Sequence, residues 1–564
     1  MPSSAPPTPS QRILSAIAAL SNCITAGSIS TFPLWSPPLA RTLHLTSSQL
    51  NLLASSAILG EYATAATWGS IADSYGPGAV SIGAGASFAL GYGLLGLVAK
   101  LGAQLDKQGK EINKLLWGLL CATYFLAGCG VAGSYFSAMI ASTKSAPARH
   151  SGLAIGIPCA VFGLSPLFLS SLASFFTTTY DRYPDLPGSS EIELDPGRWL
   201  LFLAALLGIV NGLGGFFLKE LPWVEEADEP TAGKIDEPAQ SGNGTLGSTN
   251  VDLEATERTS LLPSRTRSRS NSQSHPSHSR RNSSASHHSH RDHHHHHHHR
   301  HHHDSQTLRQ FISTPTFWLF GSIILLSTGP VEMYMASLGQ ILESLLAIST
   351  SATTKISKLG VSHALQARRD HIAVLAIANT VSRLGVGAVS DYLSTPPNTA
   401  REGEQEGVGS ATGRGRKRIS RLVFLIGACA GLSLVYIWGG TGLSTEDGLW
   451  IITIINGTSY GAVFTLSPAI VRSIWPVEHF GRNWGLLTWF SAIGALIFTP
   501  LFGILRDLAS SSSSPSSLIA FSPKTLEVCA SAGCYKPIFI VSAVSAGLSC
   551  GVVGLLWRKW SAIV

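Results

Sequence analysis

About twelve stretches of the chain are apolar and each is 18 to 29 residues long, which limits the fold more than any other feature. A helix of roughly 20 apolar residues can cross a hydrocarbon core about 30 Å thick, because its backbone polar groups are satisfied internally. We therefore predict an all-α membrane protein with about 12 transmembrane helices. The stretches are residues 13–35, 48–71, 79–99, 115–141, 151–176, 199–218, 317–345, 372–389, 422–439, 450–471, 484–505 and 537–556.

A short phrase, Gly-x-x-x-Asp, ends the second apolar stretch in each half of the chain, at Gly69 and Asp73 and again at Gly387 and Asp391. Internal repeats are typical of carriers that work by alternating access. The repeat predicts two six-helix bundles and favours transport. Glycine permits close helix approach, and the acid can meet a neighbouring helix end or basic group. We predict that these four residues govern gating; a solvated helix terminus is the alternative.

The domain organisation follows from the polar segment that separates the two apolar halves. This segment is rich in Ser, Arg and His and almost lacks aromatic residues, so it cannot bury enough apolar surface to offset the entropy of ordering. We predict a disordered cytosolic loop. The predicted parts are a cytosolic tail (1–12), a first bundle (13–218), the loop (219–315), a second bundle (316–557) and a cytosolic tail (558–564).

The distribution of Lys and Arg residues predicts the orientation of the chain in the membrane. With both termini cytosolic, most Lys and Arg residues fall on the cytosolic side, as the positive-inside rule requires. Lys100, Lys107, Lys110 and Lys114 argue for the opposite orientation. The net charge of +6 resides in loops rather than on a folded basic face, so we predict no nucleic-acid partner.

Three ionisable residues lie inside the apolar stretches: Glu61, Glu332 and Arg383. A charge in hydrocarbon costs roughly 2.5 to 3.5 kcal/mol on insertion scales, so each one is a functional candidate. A fixed cation in an apolar cavity favours an anionic substrate, and a carboxylate there could carry a coupled proton. The alternative is a charge held in an interhelical pair or reaching to the interface.

Two features of the loop suggest partners. Glu257 stands four residues before Leu261 and Leu262, as in an acidic dileucine sorting signal that an adaptor would bind in an extended form. The His-rich tract 287–303 could bind zinc, but it has no fixed ligand spacing, and a solvated linker is the favoured interpretation. We therefore predict a sorting motif and no defined metal site.

Cysteine usage leaves one question open. Six of the eight cysteines lie in apolar stretches, where a cysteine behaves as a small hydrophobic residue. Cys529 and Cys534 fall in the non-cytosolic loop before the last stretch. They form either a luminal disulfide or two unpaired thiols.

Enzymatic activity is not indicated. No glycine-rich phosphate loop supports ATP-driven pumping, and we predict no cofactor. Glu478 and His479 are adjacent in a tight loop without a nucleophile, so they do not form a catalytic pair. Trp475 and Trp484 flank this loop, and we expect both at headgroup depth.

The chain resembles the major facilitator superfamily, and within it the fungal monocarboxylate-transporter homologues with nodulin-like, vacuolar members. The resemblance implies that Arg383 is the arginine of the eighth helix, followed one turn later by Gly387. Asn379 stands where an acid normally precedes that arginine, so the resemblance alone does not imply proton symport. The residues that carry the resemblance are Gly69 to Asp73, Gly152 to Ser165, Ala378 to Asp391 and Glu478 to Gly481.

Together these features predict a secondary transporter in the vacuolar membrane that moves a small solute, such as an organic anion or a monocarboxylate-like metabolite. Its expected partners are the solute, the lipid bilayer, a coupled proton and a sorting adaptor. Arg383, Asn379, Glu61 and Glu332 are the candidates for substrate binding or coupling. The alternative is a transporter-like receptor that binds the solute and signals through the central loop.

Overall fold

The structure is a computed structural model, and it describes most of the chain outside the central loop. The described residues are 8–108, 114–145, 151–181, 190–221, 308–352, 363–393, 419–475, 480–512, 529 and 531–560.

The described part of the first half contains eight helices, with a short 3₁₀ segment (Gly27–Thr31) between the first two. The helices are α1 (Pro9–Ala26), α2 (Phe32–Leu43), α3 (Ser47–Ala63), α4 (Ala65–Tyr75), α5 (Pro77–Lys107), α6 (Lys114–Lys144), α7 (Ser151–Leu172) and α8 (Pro196–Phe217).

Among the residues of the second half that the structure describes, a short helix is followed by six long ones. They are α9 (Leu308–Ser313), α10 (Pro315–Ala352), α11 (His363–Leu393), α12 (Arg421–Thr441), α13 (Glu446–Ile474), α14 (Phe480–Ser512) and α15 (Lys536–Trp560).

In the described ranges, 11 helical segments are long and apolar enough to cross a membrane. One of them, Pro9–Leu43, joins α1 and α2. The expected second crossing is divided at Thr64 into α3, with 17 residues, and α4, with 11. Thr64 donates its hydroxyl proton to the carbonyl of Gly60, a local bond that is known to bend helices. The helical class is confirmed, and about twelve crossings in two bundles fit the structure.

The first helix begins earlier than its apolar stretch suggests. Thr8 caps α1 by accepting a hydrogen bond from the backbone of Gln11, whose side chain accepts one from the Thr8 backbone in return. This reciprocal pair satisfies two otherwise free N–H groups, so the helix starts at Pro9 rather than at residue 13.

A small antiparallel hairpin, which was not expected, follows α7. Its strands are β1 (Thr177–Asp181) and β2 (Ser190–Leu194), with Thr177 opposite Leu194. The three threonines of β1 and the alternating Glu191-Ile192-Glu193-Leu194 are typical of a strand with one packed face. We call this end of the protein the hairpin end, and the end where α1 begins and α15 finishes the termini end.

Small residues allow the helices to pack closely, as the glycine-rich stretches predict. A Cβ atom at Gly128 of α6 would lie 2.0 Å from the carbonyl oxygen of Ala57 in α3, so only glycine fits there. The two halves meet where α3 packs on α14, α7 on α11 and α2 on α10. These contacts place the midpoints of α3, α10 and α11 around the interior of the protein.

Two expectations at the ends of the bundles have different outcomes. Cys529 and Cys534 form a disulfide at the hairpin end, before α15. The expectation that Trp475 lies at headgroup depth stays a prediction; the residue is only 7% exposed and packs against the rings of Phe311 and Trp560. Aromatic packing at the base of α10 and α15 buries this indole.

Candidate functional site

The three ionisable residues of the apolar stretches lie near one another in the middle of the protein. Glu61 belongs to α3, Glu332 to α10 and Arg383 to α11, so both halves contribute. Glu61 is within electrostatic range of both Glu332 and Arg383. The structure therefore brings together side chains that are separated by up to 322 positions in the sequence.

Glu332 is held by two tyrosines. The residue is only 6% exposed. Its Oε1 atom accepts hydrogen bonds from the Tyr62 hydroxyl at 2.6 Å and the Tyr460 hydroxyl at 2.8 Å. The two phenol oxygens are themselves 2.9 Å apart. Tyr62 lies on α3 and Tyr460 on α13, so this carboxyl group connects the two halves. Such bonds fix the position of a buried polar group that would otherwise be costly.

Arg383 is fixed by Asn379 and by two aromatic rings. Its Nε donates to the Asn379 Oδ1 at 3.0 Å, one turn earlier on α11. The guanidinium carbon lies 6.0 Å from the ring centroids of both Phe162 and Phe464, at the limit of cation–π attraction. Among the described residues, Arg383 forms no ion pair within 4.0 Å. It is thus a positioned, half-buried cation without a directly bound counter-charge.

The wall beside Arg383 includes residues that sequence reasoning missed. The ring centroids of Tyr135 in α6 and Phe162 in α7 lie 4.8 Å apart, and the Tyr135 hydroxyl lies 2.9 Å from the sulfur of Cys159 in α7. Tyrosine in an apolar stretch gives no distinctive sequence signal, because it occurs equally in packed cores and at interfaces. The position of Tyr62 directly after Glu61 was the one available hint.

The predicted gating residues occupy the termini end. Among the described atoms, none lies within 4 Å of a Cβ atom built at Gly69, and at Gly387 the nearest is the Thr465 methyl at 3.3 Å. Gly69 therefore makes no close contact with any described helix. Asp73 and Asp391 stand in the last turns of α4 and α11, but their side chains lie outside the described part of the structure.

The hairpin end carries an ionic cluster that was not predicted. Arg41 of α2 pairs with Glu193 of β2 and with Glu343 of α10. Glu343 also accepts a hydrogen bond at 3.0 Å from Arg368 of α11. Arg41 and Glu343 belong to different halves, so their ion pair holds the hairpin end together. Arg41 follows an apolar stretch by only a few residues and resembles an ordinary interfacial anchor in the sequence.

Asp507 of α14 makes a second contact between the halves at this end. Its carboxylate accepts hydrogen bonds from the backbone N–H groups of Ser47 and Ser48, both at 2.9 Å, and from the Ser48 hydroxyl. It therefore caps the N-terminus of α3, where the helix dipole favours a negative charge. A Cβ atom at Gly503, one turn earlier, would lie 2.7 Å from the Ser47 carbonyl oxygen. The backbones of α3 and α14 are consequently in close contact here.

Several predicted features fall outside the described residues. These are the dileucine motif of Glu257, Leu261 and Leu262, the His-rich tract, and the pair Glu478 and His479. Within the described ranges, no group of three or more His, Cys, Asp or Glu side chains could hold a metal ion.

Comparison with known proteins identifies the family. The sequence profile of the Major Facilitator Superfamily matches residues 17–499. A Neurospora crassa protein named probable transporter mch1 is 28% identical over 582 aligned residues, covering 97% of this chain and 89% of the relative. A Gibberella zeae protein, probable transporter MCH1, is also 28% identical and covers 97% of this chain and 90% of the relative.

Solved structures agree on the fold. A bacterial homologue of the human lysosomal transporter Spinster superposes with a TM-score of 0.53 at 13% identity, over 99% of this chain and 98% of that one. The nucleoside transporter NupG gives the same TM-score at 9% identity, over 97% and 99% of the two chains. The resemblance to fungal monocarboxylate-transporter homologues is confirmed, and the chain belongs to the Major Facilitator Superfamily.

Proposed function

We propose that this protein is a secondary active transporter that carries a small organic anion, such as a monocarboxylate, across the vacuolar membrane by alternating access. One observation carries the proposal: Arg383 is positioned in the interior by Asn379, Phe162 and Phe464 and has no ion pair in the described structure. A cation in such a place requires a counter-charge, and a substrate anion can supply it.

The geometry around Arg383 suits a carboxylate. A guanidinium group offers parallel N–H donors that match the two oxygens of a carboxylate. Nε is engaged by Asn379, which leaves the two terminal nitrogens for the substrate. Phe162 and Phe464 provide apolar surface for the small organic part of the anion. The site thereby combines one charge with an apolar wall, as is usual for small-molecule sites.

Glu332 and Glu61 are the proposed proton carriers. Asn379 replaces the acid that normally stands one turn before the arginine, but Glu61 lies within electrostatic range of Arg383 and also of Glu332. Carboxyl groups on α3 and α10 can therefore replace the missing one. Substrate binding at Arg383 would reduce the influence of this cation on Glu61 and so favour proton uptake. Proton and anion would then travel together.

Alternating access would use the contacts at the two ends. In the structure, the ion pair of Arg41 with Glu343 and the capping of α3 by Asp507 join the halves at the hairpin end. Breaking these contacts would open that end. At the termini end, closure would bring Gly69 and Asp73 towards the opposite bundle. This movement would agree with the predicted gating role of these two residues and of their counterparts Gly387 and Asp391. Rocking of one bundle against the other is the usual motion of such carriers.

The placement in the vacuolar membrane rests on two sequence features. The resemblance to fungal homologues with vacuolar members agrees with the acidic dileucine motif at Glu257, Leu261 and Leu262. With both termini in the cytosol, the hairpin end faces the lumen. The disulfide between Cys529 and Cys534 would then lie in a compartment that permits oxidation.

Uptake into proteoliposomes tests the proposal. Labelled pyruvate should accumulate saturably when a proton gradient is imposed, and Arg383→Gln should weaken its binding by at least about 30-fold, since losing one partner of a buried charge pair costs 2–5 kcal/mol. Arg309→Gln, at an exposed position of α9, is the matched control and should not change uptake. Saturable binding without movement would instead favour the receptor alternative. The absence of both for a panel of small organic anions would refute the proposal.

A further inference from the structure

A cavity with both apolar and polar lining residues lies at the hairpin end, apart from the central site. It has a volume of about 460 Å³ and is formed by both halves, from α2 and α3 on one side and α10 and α14 on the other. Its polar lining includes Gln340, Glu343, Arg506 and Asp507. Gln340 follows Glu332 by eight residues on α10, which places it about 12 Å further along the helix axis. The central tyrosines and Arg383 do not line this cavity.

The amide of Gln340 is buried without a partner. The residue is only 3% exposed, and neither its Oε1 nor its Nε2 atom has a hydrogen-bond partner in the structure. Leaving a donor and an acceptor unpaired costs free energy, so such groups usually meet a ligand or ordered water. Gln340 is one of the residues that line the cavity, so a rotation of its covered amide towards the cavity would let a ligand there satisfy both atoms.

Arg506 offers free donors to the same cavity. It is 6% exposed, and its Nη1 atom donates to the Gln340 carbonyl oxygen and the Ser344 hydroxyl. Within the described chain, its Nε and Nη2 atoms have no hydrogen-bond partner and no carboxylate lies within 4.0 Å of its nitrogens. Arg506 therefore combines a buried positive charge with unused planar donors.

The two acidic residues that line the cavity are already engaged. Asp507 caps the N-terminus of α3, and the Glu343 Oε1 atom accepts hydrogen bonds from Arg41 and Arg368. Arg41 in turn is paired with both Glu193 and Glu343. Arg506 lies within electrostatic range of Glu343 and Asp507 but hydrogen-bonds to neither of them, so its Nε and Nη2 donors stay unused beside the Gln340 amide. These planar donors and the amide suit an anion that can also exchange a hydrogen bond with an amide.

We propose that this cavity is a second binding site for a small carboxylate, held by the Arg506 guanidinium and the Gln340 amide. The choice of a carboxylate rests on the proposed function, because the same anion would bind Arg383 in the centre. Guanidinium donors match the two carboxylate oxygens, while the amide nitrogen donates to the anion and the amide oxygen accepts from a substrate hydroxyl or a water. The anion would occupy this site next to the contacts that close the hairpin end.

Protection of two cysteines from a small neutral thiosulfonate reagent tests this site separately from the central one. Ala40→Cys places a thiol on the cavity wall, and the native Cys159 lies beside Tyr135 near Arg383. Pyruvate is the probe, and its uncharged amide, pyruvamide, is the control ligand. Mass spectrometry of the peptides reads the modification rate at each cysteine in the full-length protein. At each site, pyruvate at ten times the dissociation constant of that site should slow modification of the reporting cysteine about tenfold.

Variants assign each protection to its site. Gln340→Met keeps the side-chain length without the amide and should abolish protection at Ala40→Cys while leaving that at Cys159. Gln340→Glu gives Arg506 an internal carboxylate and should also abolish protection at Ala40→Cys. Arg383→Gln should abolish protection at Cys159 only. Thermal stability of each purified variant confirms that it is folded.

Two results would overturn the second site. One is the absence of any protection at Ala40→Cys, while protection at Cys159 would still support the central anion site. The other is protection at Ala40→Cys that survives Gln340→Met but disappears with Arg383→Gln, because that pattern reports a conformational change caused by the central site. Protection at Ala40→Cys alone would support the second site and count against Arg383 as a carboxylate site.

Discussion

Tyr62 of α3 donates a hydrogen bond of 2.6 Å to Glu332 of α10 and thereby joins the first half of the protein to the second. The same carboxyl oxygen accepts a bond from Tyr460, so protonation of Glu332 would change a contact between the halves. In the proposed mechanism, this arrangement would link a proton directly to the interface between the halves. The proposed coupling can therefore be examined by changing one carboxyl group and its two tyrosine partners.

Glu332→Gln should separate anion exchange from proton-driven accumulation. Glutamine keeps the oxygen that accepts from Tyr62 and Tyr460, so the halves should still pack, but it cannot exchange a proton. We expect exchange of labelled for unlabelled anion to persist, while the stimulation of uptake by an imposed proton gradient is lost. Glu220→Gln, in an exposed ion pair with Lys144, is the control and should behave as the native protein. Full retention of gradient-driven uptake by Glu332→Gln would remove this residue from the coupling mechanism.

Tyr62→Phe should weaken the contact between the halves without opening a cavity. A hydrogen bond to a charged group contributes about 1.5–3 kcal/mol, so the variant should lower thermal stability and change the transport rate. Combining it with Glu332→Met, which removes the acceptor oxygen, in a double-mutant cycle measures their interaction. Strictly additive effects of the two changes on stability would show that the hydrogen bond contributes nothing.

The sparse charges of the apolar stretches were enough to single out three residues that the structure brings together in its interior. Glu61, Glu332 and Arg383 could be recognised because a charge in hydrocarbon is costly and is rare where it has neither a function nor a partner. The two tyrosines that hold Glu332 could not, since nothing in the sequence distinguishes a phenol that binds a carboxylate from one in a packed core. Helix number and the repeat of two bundles were likewise predictable from length and hydrophobicity.

The hairpin end was beyond sequence reasoning for a different physical reason. Ser48 and Asp507 are separated by 459 positions, and their contact depends on how two helices from different bundles cross. Each residue alone has the appearance of a polar helix end at the membrane surface. The pairing of Arg41 with Glu343 across 302 positions is equally invisible in one sequence. Interactions between the bundles thus required the structure, whereas the residues within each apolar stretch did not.

Asp507→Asn should favour opening of the hairpin end. Asparagine can accept only one of the backbone bonds with its single carbonyl oxygen and carries no charge for the helix dipole, a loss of about 0.5–2 kcal/mol for a cap. Ser337→Cys reports opening, because Ser337 is buried between α10 and α3, where it donates to Asn51. Its modification rate should rise several-fold in Asp507→Asn. The exposed Asp447→Asn at the same end is the control, and an equal rise there would contradict the capping role.

Gly503→Ala should open the same end by steric means. The added methyl group would lie 2.7 Å from the Ser47 carbonyl oxygen and 2.7 Å from the Ser48 Cα, both backbone atoms that cannot rotate away. A destabilisation of 1–2 kcal/mol would change the balance of conformations by roughly five- to thirtyfold. The readout is again modification of Ser337→Cys. Gly551→Ala, at a position of α15 with no atom within 4 Å, should leave the rate unchanged. An unaltered rate in Gly503→Ala would mean that α3 and α14 adjust without opening.

Replacing Leu261 and Leu262 by alanine should send the protein to the cell surface instead of the proposed vacuolar membrane. An acidic dileucine peptide binds an adaptor through its two leucines in an apolar pocket and its carboxylate near basic groups, and alanine removes most of the apolar contact. A fluorescent tag at the C-terminus reports the location, and flux in proteoliposomes should be unchanged because the motif lies far in sequence from both bundles. Glu257→Gln should give a partial shift, since it removes only the charge. The control is Ala255→Ser, a change within the same loop that spares the motif. If vacuolar fluorescence persists in the double alanine variant, sorting depends on another part of the chain.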